Sequence, residues 1–283
     1  MKFANIMRAI YLEPWLITPA MHQQICEIAH DHLTGAAHRA EGRANAGMAS
    51  TGPDFAMVRN IARIECSGVI GRRVGDMAKS SGAVDVNDLA NEIHKATMDS
   101  RVDGIMLVFD SPGGTVSGVP EAAQVIRDAA AKKPVLALAS GLMASAAYWL
   151  ASGASMIMAE PSAQVGSIGV YQAFLDESRA FDLAGKKLEL FATGKYKGMG
   201  VSGLPLSDEQ RAEIQARVDK IFAWFKSDIN LKRAIPDECM DGRLFMGAEC
   251  VAMDLADCIG TEEDAMQEIA GLVERGLDIS NKK

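Results

Sequence analysis

The stretch PVLALASGLMASAAYWLA, residues 134–151, passes from an apolar run through small residues into a helical pattern, and Ser145 stands at the change. Residues 134–139 are short, apolar and opened by a proline, which predicts a strand of a parallel sheet covered on both faces. From Ala146 the chain reads as a helix start, with its smallest residues nearest the serine. A hydroxyl at that turn lies beside backbone N–H groups that lack an intrahelical partner, at the positive end of the helix. Two readings are open: an ordinary N-cap serine, or a nucleophile held at a strand-to-helix turn.

Working outward, strand-like runs alternate with helical patterns on both sides. Upstream come an extended run at 58–70, a helix at 86–98 with a Leu89, Ile93, Ala96 stripe, a strand at 104–109 and a helix at 120–131 with proline in its first turn. Downstream come short strands at 156–159, 167–170 and 188–191. A long helix follows at 208–232, with Ile214, Val218, Ile221, Phe222, Phe225 and Ile229 on one face, and then helices at 248–256 and 262–274. Alternation on this scale implies right-handed βαβ crossovers, and so an α/β fold with a mostly parallel sheet.

The N-terminal region is different in kind. Residues 19–33 carry an amphipathic helical stripe of Met21, Ile25, Ile28, Ala29 and Leu33, and residues 34–53 are small, polar and aperiodic. The chain therefore divides into a helical arm at 1–33, a linker at 34–55 and a main α/β domain at 56–283. The arm is expected to serve delivery or regulation and to be removable without unfolding the remainder.

Composition excludes several classes. An apolar fraction of 48% over 283 residues is ample for a large core. The net charge of -8 is spread without a long basic or acidic block, which speaks against nucleic acid or an anionic membrane surface as partner. Five widely spaced cysteines with no C-x-x-C pair read as reduced thiols without a zinc site. His22, His30 and His32 show no i, i+4 metal face and read as solvated. Lys2, Arg8, Glu13 and Pro14 interrupt the first apolar residues, so no secretory signal is expected, and no window reaches the roughly 18 apolar residues of a membrane span. An intracellular protein with no metal or nucleotide cofactor is the expectation.

Asp110-Ser-Pro-Gly-Gly114 follows the strand at 104–109 directly, at the carboxyl end where open α/β sheets place ligands. The two glycines read either as an anion-binding nest of N–H groups or as a tight turn that needs glycine torsions. A serine nucleophile also needs a base. Every histidine lies at or before residue 94, so the chain order of α/β-hydrolases is impossible, and His94 sits on what reads as a solvated helix face. Lysine remains, and Gly194-Lys-Tyr-Lys-Gly198 offers Lys195 and Lys197. Either would have to shed its proton near pH 7, which burial promotes.

Taken together, VDGIMLVFDSPGG, MASAAYW, VGSIGV and TGKYKG resemble, in order and spacing, the S49 serine peptidases, relatives of signal peptide peptidase A with a Clp protease/crotonase fold. The resemblance covers about residues 57–260. It implies Ser145 as nucleophile, Lys197 as general base, Ser167 as the residue that orients the lysine, and an oxyanion hole from Gly113, Gly114 and Ala146. Ala146 and Ala147 stand where the family commonly has glycines, and Gly198 stands where aspartate often follows the lysine. Both departures bear on substrate preference rather than on a catalytic atom.

Within the family, LEPWLITPAMHQQI and the Gly/Ala-rich connector look most similar to capsid-assembly (prohead) proteases of tailed phages. That implies cleavage of scaffold, capsid or portal proteins, and of the enzyme itself, inside the prohead in the host cytoplasm, by a homo-oligomer that uses no nucleic acid, membrane or cofactor. Some such enzymes carry a C-terminal scaffold segment, and here a scaffold is expected to be a separate product. The alternatives are a bacterial cytosolic S49 peptidase, a crotonase-type acyl-CoA enzyme, which would need a carboxylate at the glycine site, and a catalytically silent scaffold component.

Overall fold

The computed structural model describes residues 14–34, 55–80 and 82–275. Most of the expected linker, residues 35–54, lies outside these, as do His38 and the side chains of His30 and His32.

The chain opens with β1 (Trp15–Ile17) and α1 (Pro19–Thr34), then β2 (Ala56–Val58), β3 (Ile61–Ser67), β4 (Ile70–Gly71), α2 (Asp76–Ser80) and β5 (Val84–Asp85). It continues through α3 (Val86–Met98), β6 (Gly104–Ser111), β7 (Gly113–Thr115), α4 (Val119–Ala130), β8 (Val135–Ala144) and α5 (Ala146–Ala151). The remainder comprises β9 (Met156–Ala159), β10 (Gln164–Gly166), α6 (Ser178–Leu183), α7 (Asp208–Ile229), β11 (Leu244–Met246), α8 (Ala248–Ala252), β12 (Cys258–Ile259) and α9 (Glu262–Glu274).

The main sheet runs β11-β10-β8-β6-β3-β2, with β9 joining β8 and β12 joining β9. Its central pairs, β3·β6, β6·β8, β8·β9 and β8·β10, are parallel, as the alternation predicts, while β2 and β11 pair antiparallel at the two ends. The central strands are apolar on both faces because both faces are covered. Ile105, Leu107 and Phe109 of β6, with Val135, Ala137 and Ala139 of β8, join the large core that includes residues of α3, α4 and α5. Met106, Val108, Leu136 and Leu138 alternate to the opposite face and meet Ala265 and Ile269 of α9. Two helices end in capping boxes: Ser207 with Gln210 starts α7, and Thr261 with Asp264 starts α9.

Several local expectations change. The strand expected at 134–139 continues to Ala144, past a register shift opposite Phe109–Ser111. Gly141, at φ 105, makes that continuation possible, since a Cβ there would press within 2.8 Å of Asp110 Oδ1. The strand expected at 167–170 lies earlier, at Gln164–Gly166, and residues 188–191 form no strand but an exposed length of chain. Trp15–Ile17 adds a strand that the periodicity did not announce. It pairs antiparallel with β7 in a small sheet ordered β1-β7-β4-β5.

Candidate active site

Three neighbouring parallel strands end together at the carboxyl edge of the sheet, and each delivers one part of the site. β6 ends in Ser111 before Pro112 and Gly113, β8 ends at Ala144 before Ser145, and β10 ends at Gly166 before Ser167. The register sets Ser111 opposite Met143 and Gly166 opposite Ala144, and the Ser145 N–H donates to Gly166 O at 2.8 Å. The three loops are thus held side by side by sheet pairing.

Ser145 is buried to 1% exposure and takes φ 55, ψ -110. Among the described residues only five non-glycines have positive φ, and Ser145 and Ser167 are two of them. Such backbone costs of order 1–3 kcal/mol and persists only where its surroundings enforce it. Ser145 stands at the N-cap position of α5, but its side chain makes no capping hydrogen bond to that helix. Its hydroxyl instead lies 3.5 Å from Gly169 O, a long contact that leaves the oxygen only weakly engaged.

Gly113, at φ 97, lies against the same turn. A Cβ on it would come within 2.1 Å of Leu16 O, 2.9 Å of Ala144 O and 3.1 Å of Ala146 N. The Gly113 backbone therefore packs against the turn that carries Ser145, close to Ala146 N. The Ala146 N–H belongs to the first turn of α5, where amides have no intrahelical acceptor. The Gly113 N–H donates to Ser111 Oγ at 3.2 Å, and that hydroxyl donates to Gly68 O at 2.6 Å. Ser111, fully buried and missed as a functional residue, braces the glycine loop. Its signal was its place between the strand and the two glycines. Gly114 is squeezed between strands: a Cβ there would meet Ile70 O at 1.7 Å.

Ser167 is buried at φ 49, with its N–H donated to Arg243 O at 2.6 Å, on the loop next to Ser145. Lys197 is not brought in. It is exposed on the long segment between β10 and α7, and among the described residues no hydrogen bond joins it to Ser145. The single chain does not bury it. Lys195 is exposed too, its ammonium 4.8 Å from the Tyr196 ring centroid, and the hydrogen bond with Tyr196 holds it above the ordinary lysine range, so it keeps its proton.

Other candidates recede. His94 is exposed, as expected of a solvated helix face. His22 was expected in solvent but is buried, its ring 5.2 Å from Trp15 and 5.4 Å from Tyr171, because the start of α1 docks on the sheet. Burial pushes the Cys66 thiol up to about 12 and Cys250 up to about 11, which leaves neither a thiolate at neutral pH.

The description "Peptidase family S49" matches residues 127–275. The chain is 29% identical to capsid assembly protease C of Escherichia phage lambda over 75% of this chain and 49% of that protein. It is 27% identical to the chloroplastic serine protease SPPA of Arabidopsis thaliana over 71% of this chain and 30% of that one. A crystal structure of an enoyl-CoA hydratase/isomerase family member is similar at TM-score 0.42 and 15% identity, covering 78% of this chain and 74% of that one. The chain spans about half the length of the curated relatives it matches first. It is a member of peptidase family S49, with the α/β architecture that the sequence predicted. No described helix is long and apolar enough to cross a membrane.

Proposed function

We propose that this chain is a serine endopeptidase with a Ser-Lys dyad. The observation that carries the reading is Ser145 held in strained backbone at the end of β8, uncapped, with the Gly113 backbone packed against its turn close to Ala146 N. Ser145 Oγ attacks the scissile carbonyl while Lys197, oriented by Ser167, takes its proton. The amide of Ala146, joined by that of Gly113 as it turns from Ser111 Oγ and with Gly114 shaping the loop, holds the oxyanion. Lys197 then returns the proton to the leaving amine, and water releases the acyl group.

For that chemistry the exposed segment bearing Lys197 must be covered. Leu183 at 81% and Phe191 at 90% exposure give it apolar surface suited to burial between copies, which supports a homo-oligomer. The likeness to the phage lambda capsid assembly protease supports scaffold, capsid or portal proteins, and the chain itself, as substrates inside a prohead in the host cytoplasm. Labelling by a fluorophosphonate, located by mass spectrometry, tests the nucleophile. Label on Ser145 and its loss in a folded Ser145→Ala chain are expected, and undiminished cleavage by Ser145→Ala would overturn the proposal. Co-expression with capsid and scaffold proteins, followed by mass spectrometry, reads the substrates.

A further inference from the structure

The strand Trp15–Ile17 lies in the place that an extended peptide would need. It pairs antiparallel with β7, with Ile17 opposite Gly113, Leu16 opposite Gly114 and Trp15 opposite Thr115. On its other side Trp15 exchanges both main-chain hydrogen bonds with Tyr171, at 2.8 Å and 3.2 Å, two residues beyond the Gly169 carbonyl that faces Ser145. Thr18 N–H donates to Pro112 O at 3.0 Å, so the pairing extends along the glycine loop. The strand therefore fills a slot walled by the oxyanion loop on one side and the segment after Ser167 on the other.

Among the described residues no second edge is open. β7 already pairs with β4 on its far side, so any extended chain that is to pair with the Gly113 strand needs the edge that Trp15–Ile17 holds. The fit at Gly113 is close enough that only a glycine admits it, as a Cβ there would lie 2.1 Å from Leu16 O. Strand addition of this kind is recognised chiefly through main chain, which makes the slot tolerant of side-chain sequence.

We infer that Trp15–Ile17 is an intramolecular occupant of the peptide-binding slot, an inhibitory strand that must leave before an extended protein substrate can pair with β7 beside Ser145. This rests on the peptidase reading above. Covalent attachment gives the strand a high effective concentration, so a three-residue ladder suffices to hold it.

The test loosens the strand in the full chain with Trp15→Ala and Leu16→Ala together, and compares it with the parent. Cleavage of fluorescein-labelled casein is expected to rise about tenfold, and acetyl-PWLIT-amide is expected to return the variant to the parent rate. Binding of fluorescein-PWLIT-amide is measured by anisotropy in the Ser145→Ala background, where catalysis plays no part. There the loosened chain should bind at least tenfold more tightly. A folded variant that cleaves no faster, with Ser145 labelled in both chains, overturns the proposal. So does equal peptide binding, and so does loss of cooperative unfolding in the variant, which would make the strand part of the core. Absence of fluorophosphonate label in both chains would overturn the peptidase reading and the inhibitory role with it, while the anisotropy difference still reports whether the strand holds the slot.

Discussion

Ser145 carries a Cβ at φ 55, ψ -110, a region that costs L-residues energy and costs glycine little. Ser145→Ala keeps that strain and Ser145→Gly removes it. Although glycine loosens the unfolded chain, Ser145→Gly should be the more stable of the two by about 1 kcal/mol, read by urea unfolding. The proposed base, Lys197, is the complementary case. Lys197→Arg should lose at least about a hundredfold in cleavage rate, because guanidinium keeps its proton at any workable pH. Lys195→Ala, which removes a lysine whose proton Tyr196 already secures, should stay within about threefold of the parent. Loss of activity in Lys195→Ala alone would mean the base is misassigned.

Elements are tied together at a few polar points. Trp149 of α5 stacks on Phe225 of α7, with centroids 4.5 Å apart and planes at 9°, and its indole N–H donates to Asp228 Oδ2 at 2.9 Å. The same carboxylate faces Arg127 of α4 at 3.4 Å, both side chains being 12% exposed. Asp228→Ala would strand the Arg127 charge and the indole N–H together. It should lower stability by about 2–3 kcal/mol in urea, while Asp228→Asn, which can still accept from Trp149, should cost less. On the opposite face of the sheet, Arg63 of β3 meets Glu262 in the first turn of α9 at 2.6 Å and holds that carboxyl below the usual glutamate range. A depressed folded value means the pair stabilises the fold above the unfolded glutamate pKa of about 4.3, and that this contribution fades as pH falls through the folded value. Glu262→Gln should therefore flatten the acid limb of the stability profile, by under about 1 kcal/mol because Glu262 is 42% exposed.

At the scale of the molecule, the long segment before α7 stands off the sheet. Leu183, Leu190 and Phe191 are exposed along it, and Lys197 belongs to the same stretch. On the proposed reading, copies of the chain cover this face and so remove water from the lysine. Leu183→Ser with Phe191→Ser should yield smaller species by sedimentation velocity and a lower cleavage rate, with urea stability of the protomer unchanged to within about 0.5 kcal/mol, since both positions lie outside the core. A double variant that keeps both its assembly and its rate would remove the segment from the interface.

The sequence by itself determined the layered architecture and the address of the serine. Period-3.6 stripes placed Val86–Met98 and Glu262–Glu274 to the residue, and doubly apolar runs marked β6 and β8, because both signals are local and survive in any arrangement of the rest. Only the tertiary structure decided what depends on a distant partner. β8 is carried past Ser140 and Gly141, which pair with neither neighbour, because Ser111 of β6 and residues 164–166 of β10 take up the ladder again at 142–144, and Trp15–Ile17 is a strand only because β7 has a free edge. Ser111 became a brace through Gly68, forty-three residues away, and His22 became buried through Tyr171. The N-cap and nucleophile readings of Ser145 share one sequence. The structure adds to that sequence a backbone torsion and a glycine loop brought beside the serine by parallel pairing, and neither is written in the residues nearby.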